Sequence, residues 1–240
     1  MIIRQTDITR SPGQSTAPRA SWRRWLPVLL PFLVLVLPAC NIVGPAYYFI
    51  SGPEKMPRAY ELPKDRLAVV FIDDRDNRLP RRSLRLTIAE AAEKALLRER
   101  VVKEMVRGAD ALAVVAGEKA GEPMSIVEVG RALRTKDGRP VDLMIYVAID
   151  AFSLTPDGEE FYPTASMSVK VIDPVADQRL WPADKLGFPL NVTPKRQAKG
   201  APRSTSEIAK AQNALAEFCG TAVAELFFET VARDSTRAPG

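Results

Sequence analysis

The stretch FIDDRDN, residues 71–77, holds the clearest cluster of side chains suited to chemistry in this 240-residue chain. Asp73, Asp74 and Asp76 follow an apolar run, and the carboxyl end of a buried strand is where α/β sites commonly lie. An aspartate pair at such a strand end can attack phosphorus and hold magnesium, and Asp74-x-Asp76 has the spacing for it. The hydroxyl residue expected two places beyond the second aspartate is replaced by Arg78. The reading adopted is therefore the simpler one, a solvated strand end whose carboxylates pair with Arg75, Arg78, Arg81 or Arg82. The chain has no histidine, which removes imidazole bases, imidazole metal ligands and the commonest proton shuttles. Cys219 falls on the apolar face of a helix, where a thiol packs as a small hydrophobe and is not a nucleophile. No catalytic residue and no cofactor is expected; Asp74 and Asp76 remain the alternative metal pair.

The elements that must position these residues follow from hydrophobic periodicity. LAVVFI, residues 67–72, is short, β-rich and apolar on both faces, as a strand covered on both sides should be. RRSLRLTIAEAAEKALLRER follows with Leu84, Ile88, Ala91, Ala92, Ala95 and Leu96 at helical spacing, and Ser83 as its expected cap. VVKEMV reads as a short strand and ADALAVVAGEKA as a helix. In SIVEVGRAL, Ser125 and Glu128 form a capping-box signature. VDLMIYVAIDAFSL is the clearest strand. TASMSVKVIDP alternates Ala165, Met167, Val169 and Val171 against polar partners, the mark of a half-buried strand. The last helix opens with Ser204-x-x-Glu207 and lines up Ile208, Ala211, Leu215, Phe218, Cys219, Ala222 and Leu226. This order predicts an α/β (α+β) fold, a mixed β-sheet packed with amphipathic helices in a single domain.

The amino-terminal region predicts where that domain resides. Arg23 and Arg24 precede an apolar run from Leu26 to Ala39 that carries Pro27, Pro31 and Pro38. It is shorter than the roughly 20 residues a membrane-crossing helix needs and has the build of an export signal. Leu37-Pro38-Ala39-Cys40 resembles the lipobox of bacterial lipoproteins. The resemblance implies removal of residues 1–39, acylation of Cys40 and attachment to a lipid bilayer. The removed segment carries five arginines against Asp7, so the net charge of +5 falls to about +1, and nucleic acid is dropped as a partner. With Cys40 acylated, Cys219 has no partner for an intramolecular disulfide. Residues 40–64, rich in proline, are expected to be a tether, 65–232 the domain, with a 182–203 loop, and 233–240 a disordered tail. Asn41 stands where an aspartate retains some lipoproteins at the inner membrane, so the outer membrane is favoured, with the domain facing the periplasm.

Beyond the lipobox, LAVVFIDD, SIVEVGRAL leading into VDLMIYVAIDAF, and SVKVIDPVADQRLW together resemble a broad group of bacterial envelope lipoproteins and related domains. The group includes the curli-secretion lipoprotein, lipoprotein activators of penicillin-binding proteins and the amino-terminal domain of TolB. The matching features are a glycine in the helix at Val129-Gly130-Arg131 and a strand pair marked by Asp173 and Trp181. The chain departs by its TKDGRP insertion, by residues 182–203 and by lacking a transmembrane hairpin. The likeness implies a non-catalytic domain that binds another envelope protein or a second copy of itself. Lys195, Arg196, Lys199 and Arg203 are the candidate interface to an acidic partner or cell-wall glycan, against the reading of a mobile loop without a role. The alternatives are a metal-dependent hydrolase built on Asp73, Asp74 and Asp76, and a soluble secreted protein with an incidental cysteine.

Overall fold

Strand β2 (Leu67–Asp73) is buried along its whole length because apolar side chains project from both of its faces. In the computed structural model, which describes residues 55–117, 122–155, 160–194, 201–232 and 236–237, it pairs in parallel with β3 (Glu104–Val106) on one side and β4 (Leu143–Ser153) on the other. Strand β4 turns back into β5 (Thr164–Asp173), antiparallel and with a register shift between Ile149 and Ala151. Strands β6 (Gln178–Trp181) and β7 (Phe188–Val192) both lie antiparallel along β5, giving the order β3-β2-β4-β5-β6 with β7 beside β5. Parallel pairs need crossovers, and the helices supply them. The expected mixed α/β architecture is the one observed.

Helices α1 (Ser83–Arg98) and α4 (Thr205–Ala224) cover one face of the sheet, over Val70, Ile72, Ile145, Val147, Met167 and Val169. Helices α2 (Gly108–Ala116) and α3 (Ile126–Ala132) cover Val69, Phe71, Met144 and Tyr146 on the other. The alternation in β5 is realised: Ala165, Met167, Val169 and Val171 point into the core, while Thr164, Ser166, Ser168 and Lys170 are half-buried. Both expected capping boxes form, Ser125 with Glu128 and Ser204 with Glu207. Ser83 does not cap α1; it is the first helical residue, behind Arg82, and no side chain closes that end.

Two glycines are required by close approach. A Cβ on Gly220 of α4 would lie 2.3 Å from the Ile88 carbonyl and 2.7 Å from the Ala91 Cβ, so α1 and α4 meet backbone to backbone. A Cβ on Gly130 of α3 would lie 2.5 Å from the Pro174 Cβ, in the turn after β5.

Three expected boundaries are corrected. The tether does not run to residue 64: β1 (Lys55–Met56) pairs with β8 (Thr230–Val231), and Leu62 is buried in the core. The 182–203 segment is not all loop, since it contains β7, whose Pro189 is accommodated because, among the described residues, β7 has β5 as its ladder partner and beyond that just the isolated Val192–Arg237 bridge, so it lies at the sheet edge. The 233–240 tail is docked at Thr236 and Arg237, whose amides donate to the Glu225 carboxylate. Ile208, expected on the apolar face of α4, is 39% exposed because the core face starts one to two turns later.

Candidate functional site

The aspartate cluster is placed where the sequence suggests, at the carboxyl end of β2, but two of its three carboxylates face inward. Asp73 and Asp74 are buried, against the expectation of a solvated strand end. Asp73 accepts from the Tyr146 hydroxyl at 2.8 Å and from the Arg75 amide at 3.2 Å. Burial and that hydrogen bond push the Tyr146 hydroxyl well above its ordinary range. Asp74 accepts from the amides of Arg78, at 2.6 Å, and Leu79, at 3.3 Å to each carboxylate oxygen, folding the loop back on itself. Asp76 is exposed, with Arg78 4.0 Å away. The alternative metal pair is thus divided, Asp74 occupied by backbone amides and Asp76 in solvent. Among the described residues no group of three or more acidic or cysteine side chains comes together to hold a metal. Cys219 is fully buried, and burial pushes its thiol up to about 12.

The arginines expected to balance these carboxylates divide their roles. Arg75 lies 3.7 Å from Asp73 and donates to the Met124 carbonyl at 2.7 Å. Arg81 pairs with no aspartate; it reaches α4, donating to Gln212 at 2.9 Å, the Ala209 carbonyl at 3.1 Å and Asn213 at 2.7 Å. The start of α1 therefore lies beside the second turn of α4. Arg203, which precedes the Ser204 cap, is exposed beside them. Lys195, Arg196 and Lys199 lie outside the described residues, as do Leu37, Pro38, Ala39 and Cys40.

Asp173 and Trp181 stand at two different junctions. The Asp173 carboxylate accepts from Arg66 at 2.5 Å and from the amides of Val175 and Ala176, tying the start of β2 to the β5–β6 turn. Burial raises the Asp173 carboxyl, but the Ala176 amide and the Arg66 guanidinium outweigh it and hold it below the usual range. Arg131 of α3 closes over the same turn, donating to the Pro174 carbonyl at 2.8 Å with Asp177 3.6 Å away.

Trp181 is the centre of a clamp on the entering chain, and this part of the molecule was missed in the sequence. Its ring stacks on Phe188 at 4.9 Å and Tyr60 at 5.8 Å and meets Phe227 edge-on at 6.2 Å. The amides of Ala59 and Tyr60 both donate to the Leu226 carbonyl. Arg237 donates to the Pro57 carbonyl at 3.0 Å. Tyr60 and Leu62, apolar residues two apart inside a proline-rich stretch, were the available signal.

No helix among the described residues is long and apolar enough to cross a membrane. No family model matches the chain, and no curated protein matches it. Among solved structures, a PelC dodecamer from Paraburkholderia phytofirmans is 12% identical, covering 73% of this chain and 96% of its own with a TM-score of 0.37. Lipoprotein GNA1162 from Neisseria meningitidis is 15% identical, covering 63% and 94% with a TM-score of 0.36. The hypothetical protein CT253 from Chlamydia trachomatis is 14% identical, covering 68% and 98% with a TM-score of 0.38. Likenesses this remote leave the function to be argued from the chain's own residues.

Proposed function

We propose that this chain is a bacterial envelope lipoprotein, acylated at Cys40, whose α/β domain serves as a non-catalytic assembly or scaffolding module for another envelope protein or for copies of itself. The observation that carries the proposal is the inward commitment of the carboxylates at the end of β2: Asp73 and Asp74 serve the fold. That disfavours the hydrolase alternative and leaves binding as the better-supported role. The lipobox supplies the membrane end, and the clamp holds residues 55–62 against the domain. Asn41 after the cysteine favours the outer membrane, with the domain in the periplasm.

Metabolic labelling with a palmitate analogue tests the anchor. Wild type should take up label and Cys40→Ala should not; equal labelling of both defeats the lipoprotein assignment in favour of a soluble secreted protein. Crosslinking in intact cells, followed by mass spectrometry, tests the scaffold. A dominant adduct with one envelope protein, or with further copies of the chain, is expected, and recovery of the monomer alone would set scaffolding aside.

A further inference from the structure

Two basic segments that are far apart in the sequence meet at one end of the domain. The β2–α1 loop and the first turn of α1 carry Arg78, Arg82 and Arg85, while Arg203 precedes the Ser204 cap and Lys210 stands in the second turn of α4. The Arg81 side chain joins the two, reaching Ala209. At 1.5 Å rise per residue, the Ser204 cap is about 8 Å further along α4. No carboxylate pairs with Arg82 or Arg85 among the described residues, and the Arg85 Nε is buried without a hydrogen-bond partner. The nearby acids are engaged: Asp73 with Tyr146, Asp74 with backbone amides, and Glu207 with the amides of Arg203 and Ser204. Asp76 is exposed, 4.0 Å from Arg78, and accepts from no backbone amide among the described residues. The amino terminus of α1 has neither a side-chain cap nor an acid in its first turn to offset these cations. Guanidinium forks suit phosphate oxygens, because two parallel N–H groups can address two oxygens of one group.

We infer that this end of the domain docks on the phosphate headgroups of an anionic bilayer. The inference rests on acylation of Cys40. Chain length supplies the argument for this occupant. Fourteen residues lie between Cys40 and Lys55, and the fifteen steps span at most about 50 Å when extended. A folded unit of this size is roughly 40 Å across. The clamp holds Ala59 and Tyr60 at Leu226, just past the end of α4, and the cations stand at its start, about 30 Å away. That distance is within the span, and the surface with unpaired cations gains most by meeting the membrane. Ile208, exposed one turn into α4, gives that surface one apolar contact for the headgroup layer.

The test uses the full chain, purified from membranes and reconstituted into vesicles of phosphatidylcholine alone or with about a third phosphatidylglycerol. Phenylglyoxal modification of each arginine is read by peptide mass spectrometry. On the anionic vesicles, Arg78, Arg82, Arg85 and Arg203 should react about fivefold more slowly each. That protection should vanish in about 0.5 M salt, where the screening length is roughly 4 Å. In Arg78→Gln/Arg82→Gln, with an unchanged urea midpoint as the folding control, Arg85 and Arg203 should lose it too. Equal reaction on the two kinds of vesicle overturns the inference. So does protection by soluble polygalacturonate in the absence of protection by phosphatidylglycerol, which would make an acidic polysaccharide the ligand. Retention on phosphatidylcholine vesicles after a salt wash reports acylation separately. A chain that washes off yet is protected on anionic vesicles keeps the docking surface and loses the anchor.

Discussion

Replacing Tyr60 by alanine should open the amino-terminal clamp while leaving the sheet intact. The Tyr60 ring lies 5.8 Å from Trp181 at an interplanar angle of 23°, an arrangement worth about 1 kcal/mol beyond burial. Tyr60 is half-buried, and loss of part of its apolar surface from the core adds about 1 kcal/mol more. The two amides donating to Leu226 and the β1–β8 ladder remain, so the change weakens the clamp and does not abolish it. A loss of about 2 kcal/mol raises the open population roughly 30-fold. Amide hydrogen exchange is the direct assay, since it reads local opening separately from global unfolding. Residues 55–61 should exchange about 30-fold faster in Tyr60→Ala, while β2, β4 and β5 keep their protection. The reasoning is refuted if wild type shows no protection over residues 55–61. It is refuted equally if protection falls across the central sheet to the same extent.

Gly220→Ala should lower the urea midpoint by about 1 M, because overpacking against the Ile88 carbonyl costs more than the helix propensity gained. Gly117→Ala, where the nearest atom to the new Cβ is 3.4 Å away, is the near-neutral control, and a stabilised Gly220→Ala would contradict the close packing. Asp74→Asn should cost about 1–2 kcal/mol, because the new amide confronts the Leu79 N–H. Asp76→Asn should stay within about 0.5 kcal/mol, and the reverse order in urea unfolding would mean that the loop is not held by Asp74. Burial pushes the Glu93 carboxyl up to about 7 from 4.5, although the Gly108 amide donates to it at 2.6 Å. The folded chain then holds a proton that the unfolded chain releases, so stability should decline as pH rises from about 4.5 to about 7. The decline is about 1 kcal/mol once solvent screening of this partly exposed group is allowed for. Glu93→Gln should flatten that part of the curve, and an unchanged slope would place the titration elsewhere.

Elements dictated by local pattern were legible in the sequence. Leu67–Ile72 reads as a central strand because its apolar residues are consecutive, and Ser125/Glu128 and Ser204/Glu207 mark helix starts because capping boxes are contacts between near neighbours. What escaped depends on partners distant in the chain. Lys55–Met56 becomes a strand only because Thr230–Val231 is there to pair with it. Pro189 disguises β7, since proline argues against a strand except at an edge, and edge position is a tertiary property. At the aspartates, residue type and location were right and environment was wrong. Nothing local reveals that Tyr146 approaches Asp73 from a strand 73 positions away.

The clamp also has a mechanical consequence. If the chain is anchored through Cys40 as proposed, tension on the anchor would load, as the first element among the described residues, a ladder of two residue pairs, Lys55 with Val231 and Met56 with Thr230. Behind that ladder lie the Tyr60–Trp181 stack and then Leu62 in the core. Peeling residues 55–61 away would pay out about 20 Å of additional chain before the six-stranded sheet bears any load. An anchored chain under strain would then lengthen first at this two-pair ladder, while the sheet with its helices stays folded.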